Sequence, residues 1–307
     1  MVAVVLMRLG VLHHHFAPGL ISIVVLSVLS AAAYGSAAVL QHHAASNEPP
    51  DVAVKAGLIV RLARRPLWLV GTALDGVGYL LQFLALRRGS LALVEPLLVL
   101  SLVFALPVAA RLEHRSIATS EVLSAAVTVT GLSVFLEVAS PKLGHPTASW
   151  QAWVILSVVI GGLCAAMALG ARGASHRRAA LLYSAGSGTA FGYVAALTER
   201  TGHLLDKGFV HTLATWPPYA LVIGAVVALA LTQSGFQAGV LRLSLPTLTI
   251  TQPLVALAIG IGFFGERVHA RGAAPVAEAF GLAIMTFGVY TLARSPVIGP
   301  REETPGS

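Results

Sequence analysis

Nine times between residues 18 and 293 the chain runs apolar for roughly 18–28 residues before a polar or basic interruption, and about 20 such residues cross a bilayer as a helix. Hydrocarbon offers no partner to a backbone N–H or C=O, so each crossing must satisfy its own backbone as a helix. The runs fall near 18–40, 66–86, 91–110, 119–139, 151–170, 179–199, 217–244, 247–265 and 275–293. They predict an all-α, polytopic transmembrane helix bundle of about nine spans. Only 11% of the residues are charged, against about 25% in soluble domains, so the chain could not cover a water-facing surface. The segment 1–17 reads as an N-terminal flank: Met1 to Leu12 is too short to span, and no small-residue cleavage site follows it. Residues 41–65 read as a loop with a short interfacial helix, and 295–307 as a disordered tail.

The formal charge of +7 would suggest nucleic acid in a soluble chain. Here the basic residues punctuate the apolar runs, which fits anionic lipid and a topology signal, not nucleic acid. Of the 20 Lys and Arg residues, twelve fall on the side bearing 41–65, 111–118, 171–178, Arg242 and the tail, and eight on the other. The positive-inside tendency then predicts a multi-pass protein of the cell (inner or plasma) membrane, amino terminus outside and carboxyl terminus cytoplasmic. Cys164 stands alone within an apolar run, which reads as a small buried hydrophobe.

Two stretches place a polar side chain beside a proline inside an apolar run: Glu95-Pro96 and, 157 residues later, Gln252-Pro253. The same offset carries Gly35 to Gly192, Gly78 to Gly235 and Gly131 to Gly288, one coincidence in each of four successive runs. It also carries Ala33 to Ala190, Leu40 to Leu197, Leu84 to Leu241 and Leu86 to Leu243, matches that an apolar composition makes cheap. The pattern predicts a first transmembrane repeat over 18–140, a linking helix in 141–174 and a second repeat over 175–294. One extra crossing between two four-helix units inserts the second upside down, the inverted arrangement of secondary transporters.

Within the spans, polar residues are expensive and so point to function or to helix contacts. Asp75, Tyr79 and Gln82 share one helix face with Gly78, and the predicted counterpart, Thr232 to Gln237, is polar without charge. Glu95 is followed by Pro96, whose missing N–H bends a helix and frees carbonyl oxygen near the carboxyl group; Gln252-Pro253 repeats the bend. Asp75, Glu95, Gln82, Gln252 and Tyr79 are therefore the candidate ion or substrate pathway, with Asp75 and Glu95 the candidate ligands for a cation. Two bland readings stand beside this: the glutamines serve as helix glue, and Glu95 pairs with Arg87 or Arg88. Pro96, Pro253, Gly78, Gly235 and Gly192 are read as bends and close contacts, with Gly188-x-x-x-Gly192 and Gly235-x-x-x-Gly239 spaced for helix packing. Glu137, Glu199, Glu266 and Glu278 fall near span ends, where solvation is the default. The runs His13-His14-His15 and His42-His43 could hold a transition metal, yet lie in flanks without a defined supporting shell. No nucleophile–base constellation, phosphate loop or cofactor motif is present, so no enzyme and no cofactor are expected.

These residues resemble the drug/metabolite transporter superfamily (EamA-like), whose repeat carries a proline-bearing helix, a Gly-Glu-Arg turn and a glycine-rich last helix. Pro253, Gly265-Glu266-Arg267, Gly281 and Gly288 match it in the second repeat; Ala85-Leu86, Glu95-Pro96 and Gly131 match it in the first. Ala109-Ala110-Arg111 departs, lacking the acidic residue of the turn. Within the superfamily the chain is most similar to NIPA-type magnesium transporters, through Gly78-Tyr79-Leu80-Leu81-Gln82 and Leu93-Val94-Glu95-Pro96-Leu97. The resemblance implies transport by alternating access, and this branch implies a divalent cation such as Mg²⁺. A proton-coupled exporter of a small polar metabolite or drug is the alternative, and a non-transporting membrane accessory protein is a third reading. Expected partners are membrane lipid, a small solute or divalent cation, and protons; a homodimer is admissible.

Overall fold

The computed structural model describes residues 18–46, 64–112, 114–139, 149–238, 241–265 and 274–293, and among these there is no strand. The helices are α1 (Pro18–Ser46), α2 (Pro66–Leu86), α3 (Leu91–Leu98), α4 (Ser101–Leu112), α5 (Thr119–Ala139), α6 (Trp150–Ala171), α7 (His176–Leu205), α8 (Phe209–Leu213), α9 (Pro217–Gln237), α10 (Leu241–Phe263) and α11 (Ala274–Ala293). Their ends follow local chemistry. Proline opens α1, α2 and α9, where its missing N–H has no intrahelical partner to lose. The Ser149 hydroxyl accepts from the Ala152 N–H at 3.2 Å and caps α6. Gly208, at φ 109°, lets the chain leave α7 for α8.

Among the described residues six helical segments are long and apolar enough to cross a bilayer: Gly19–Gln41, Pro66–Leu86, Leu91–Leu112, Thr119–Val138, Trp150–Ala171 and Pro246–Phe263. Pro217–Thr232 and Ala279–Leu292 are shorter apolar helices. The 30-residue α7 falls short for a different reason. It packs against α2, α3, α6, α9 and α10 at once, burying Ser184, Ser187, Thr189 and Thr198 among its neighbours. A helix enclosed by protein needs no lipid-facing stripe, so small polar residues replace leucines.

Two expected boundaries move. The third apolar run is two helices, because after Pro96 the ladder tightens: Val99, Leu100 and Leu102 donate to the carbonyls three residues back instead of four. The seventh run, expected over 217–244, is divided between two helices: α9 ends at Gln237 and α10 begins at Leu241, enclosing Pro246.

Antiparallel pairs build the bundle. Ile23 lies against Gly89, Tyr34 against Gly78 and Gln41 against Gly71, so α1 and α2 run side by side in opposite directions. A Cβ on Gly131 would strike the Met285 backbone, one on Gly288 would strike Thr128, and one on Gly281 would strike Phe135. That fixes α5 and α11 as an antiparallel pair in near backbone contact. Outward faces are apolar: Val154, Ile155, Val158 and Val159 on α6, Val222, Ile223 and Val226 on α9, Phe280 and Phe287 on α11. Patches of this extent suit lipid and not water. Where α6 and α9 begin, Trp150 and Trp153 meet Trp216 edge to face at 5.5 and 5.3 Å, as in the aromatic belt of a membrane boundary. The described residues thus form an all-helical bundle with several helices long and apolar enough to span a membrane.

Candidate functional site

The α1–α2 pair sets two polar contacts one heptad apart. The Tyr34 hydroxyl donates to Gln82 Oε1 at 2.7 Å, and Gln41 Nε2 donates to Asp75 Oδ2 at 2.6 Å. Both pairs arise because antiparallel helices match each step of seven on one with a step of seven on the other. Gly78 lies between them and receives the Tyr34 ring, while Ser30 Oγ donates to the Gly78 carbonyl at 2.7 Å.

Glu95 comes in from α3 and is 1% exposed. Its Oε1 accepts from Gln82 Nε2 at 2.8 Å, and its Oε2 accepts from Gln252 Nε2 of α10 at 3.0 Å. The result is a continuous chain, Tyr34–Gln82–Glu95–Gln252, reaching from α1 to α10 through one carboxyl group. Of the expected pathway residues, Gln82, Glu95 and Gln252 meet directly, next to Pro96 and Pro253. Asp75 stands apart, half-buried in its own amide contact.

Tyr79 turns away from Glu95. Its hydroxyl is 3.3 Å from Thr198 Oγ1 on α7, and since Thr198 donates to the Val194 carbonyl, Tyr79 is the donor. The expected pairing of Glu95 with Arg87 or Arg88 is not what holds it: Arg87 pairs with Asp206 at the end of α7. Glu199 departs from its expected solvation; it is 2% exposed, with His203 Nε2 3.9 Å from its carboxylate. Glu137 is exposed as expected, whereas Glu266, the Glu278 side chain, His13 to His15 and the His42 side chain lie outside the described residues.

Glycines place these groups. Gly188 and Gly192 bring α7 against α10, where added Cβ atoms would stand 2.9 Å from the Leu248 and Gln252 carbonyls respectively. Gly235 instead admits Ser184 of α7, and Gly239 lies outside the described residues. Cys164 is buried, its thiol 3.4 Å from the Gly186 carbonyl.

Among the described residues no three His, Cys, Asp or Glu side chains gather as a metal site would require. Glu95 is met by the amide nitrogens of Gln82 and Gln252, and only with both carboxamides turned over would these side chains present the all-oxygen surround that Mg²⁺ uses with one or two carboxylates and retained waters.

Sequence reasoning missed Tyr34 and Gln41. The available signal was their spacing of seven, equal to that of Asp75 and Gln82 on the neighbouring helix. It also missed the Arg87–Asp206 pair, whose partners are 119 residues apart.

The chain is 28% identical over 273 residues to an uncharacterized protein of Corynebacterium glutamicum, covering 89% of this chain and 94% of that one. No family model matches the chain. No solved structure matches it either.

Proposed function

We propose that the protein is a secondary transporter working by alternating access, with nine membrane crossings arranged as two inverted four-helix repeats around Glu95. The observation that carries this reading is the position of Glu95: a buried carboxyl group hydrogen-bonded to Gln82 on one side and Gln252 on the other. A coupling site must engage both moving parts, and this group does.

Reciprocal contacts support the repeat. Across a two-fold axis, if residue i meets the counterpart of j, then j meets the counterpart of i. Gly131 meets Met285 and Gly288 meets Thr128, which are such a pair at an offset of 157 residues. A residue on the axis meets its own counterpart, and Glu95 meets Gln252 at that same offset. Ser30 donates to the Gly78 carbonyl, and Ser187, 157 residues on, donates to the Ala228 carbonyl. Gly78 and Ala228 are 150 residues apart, so α9 pairs with α2 two helical turns away from the Gly78–Gly235 match expected from sequence. In this register Asp75 faces an alanine counterpart, Ala225, and the second copy supplies no charge there.

The cargo that the site suits best is a hard divalent cation of the Mg²⁺ type. Its support is two carboxyl groups inside the bundle, buried Glu95 and half-buried Asp75, with Gln82 and Gln252 beside Glu95, whose carboxamides can turn an oxygen toward the site. A membrane potential drives such an ion without a further coupling partner. The proton-coupled metabolite exporter keeps the same residues but makes Glu95 the proton carrier. The experiment is uptake into proteoliposomes of Mg²⁺ and of a panel of small metabolites, with and without a pH gradient, for the parent protein, Glu95→Gln and Asp75→Asn. Mg²⁺ flux lost in Glu95→Gln supports the cation reading. Metabolite flux that needs the pH gradient replaces it with the exporter, and no flux of any kind leaves the accessory role.

A further inference from the structure

On the face of the bundle where α1 begins, the two proposed halves meet in one ion pair. Arg87, which closes α2, donates from Nη2 to Asp206 Oδ1, and Asp206 caps the end of α7. Gly202 makes the approach possible: a Cβ there would stand 3.3 Å from the Arg87 stem. Beneath the pair the polar contacts continue inward as a column. His203 approaches buried Glu199, Gln82 meets Glu95, and about one turn deeper along α2 Tyr79 meets Thr198.

The opposite face is built differently. The proposed repeat equates the α2–α3 turn with the α9–α10 turn, and the end of α7 with the end of α1. Both α2 and α3 pack on α7, whereas among the described residues neither α9 nor α10 packs on α1 to a comparable extent. Gln41 and Asp75, toward that face, are half-exposed.

We infer that Arg87 and Asp206 form a latch that shuts the amino-terminal mouth of the pathway above Glu95. This rests on the alternating-access reading and adds the gate to it. The pair is suited to repeated opening. Its side chains are 38% and 55% exposed, so water and salt screen it and its rupture is cheap. The broken ladder at Val99 and Leu100 supplies a hinge beneath the α2–α3 turn.

The test reads access and needs no knowledge of the cargo. In a Cys164→Ala background, Thr198→Cys is a reporter beneath the latch, labelled in sealed vesicles by a membrane-impermeant maleimide added on the amino-terminal face. Asp206→Asn and Arg87→Gln should each raise the labelling rate about two- to fivefold, the range that an exposed ion pair supports. The double variant Arg87→Asp with Asp206→Arg should return it toward the parent value. Should a variant fail to fold, the reporter alone answers: raising salt from about 0.01 to about 1 M shortens the screening length from about 30 to about 3 Å and should speed labelling. Rates indifferent to both the substitutions and salt overturn the latch. Faster labelling in a protein that moves nothing in proteoliposomes keeps the latch and discards the transport reading.

Discussion

Replacing Glu95 by glutamine keeps the shape of the site and removes its charge, and the hydrogen bonds around it determine the cost. Both Glu95 oxygens accept from amide nitrogens, Gln82 at 2.8 Å and Gln252 at 3.0 Å. In the variant one acceptor becomes a donor. Gln82 can adapt only by reversing its Tyr34 contact as well, its amide then donating to the hydroxyl oxygen. Gln252, half-buried, can turn its amide over and accept instead. Both hydrogen bonds survive as neutral ones, contributing about 0.5–1.5 kcal/mol each in place of about 1.5–3 to a charged group. The loss is therefore about 2–3 kcal/mol for the two. Offsetting it, the variant no longer carries a carboxylate into the membrane interior, which costs about 2.5–3.5 kcal/mol on insertion scales. Thermal unfolding in detergent should thus place Glu95→Gln within about 1 kcal/mol of the parent, while flux in proteoliposomes falls at least about tenfold. Glu95→Leu is the contrast. It strands two amide donors, one buried and one half-buried, at about 1–3 kcal/mol each and, with the same carboxylate cost removed, should fall about 2–6 kcal/mol below Glu95→Gln. Were Glu95→Gln as unstable as Glu95→Leu, with normal flux per folded molecule, Glu95 would be structural glue and the site would lie elsewhere.

Asp75→Asn keeps an oxygen for Gln41 and should change stability by no more than about 1 kcal/mol, yet weaken the dependence of flux on cation or pH gradient; unchanged flux removes Asp75 from the pathway. Gly131→Val drives a side chain into the Met285 backbone and should cost about 1–3 kcal/mol or more in thermal unfolding; a neutral result would mean that α5 and α11 are not in backbone contact. The Arg87 hydrogen bond, with help from the charges of Arg87 and His203, holds the Asp206 carboxyl below its ordinary value of 3.8. A depressed folded-state value means that the pair's contribution is fully present above the ordinary value and fades as pH falls through the lower one. Hydrogen-exchange protection of the α2–α3 turn, corrected for intrinsic rates, should therefore be flat from about pH 7 to about pH 5 and drop only in stronger acid. A drop already present between about pH 7 and about pH 5 would move the switch to His203.

The apolar runs made most helices readable because membrane length and backbone satisfaction leave few alternatives. Where reading by hydropathy weakened, the cause is physical: α7 is enclosed by protein, so the solvent it answers to is other helices. Its serines and threonines are the cost of close packing against Gly188 and Gly192 neighbours, and they depress the very signal that marks a span. Glu95 and Gln252 were legible as a pair because proline and a polar residue together are rare in such runs. That they touch was not legible, since hydrogen bonding across 157 residues depends on which faces α3 and α10 turn inward. The register of the proposed repeat was likewise hidden: glycine matches glycine at 78 and 235, whereas on the proposed reading the serine contacts would align 78 with 228. Seven residues are two turns, so a slip of that size preserves the inward face and leaves no trace in periodicity.

The asymmetry at the centre has a physical reason of its own. If the two copies meet as proposed, whatever occupies position 95 faces whatever occupies position 252 across the axis. Two acids there would stand within hydrogen-bonding distance of each other in a desolvated interior, where like charges cannot both ionise. Two amides could pair, but would offer nothing for a cation or a proton to neutralise. One acid and one amide form the arrangement that keeps a single exchangeable charge and still ties the halves together through it. Binding a cargo cation at Glu95 must then compete with the Gln252 hydrogen bond. Loading the site loosens the contact between halves, and emptying it restores that contact, which is the coupling between occupancy and conformation that alternating access requires.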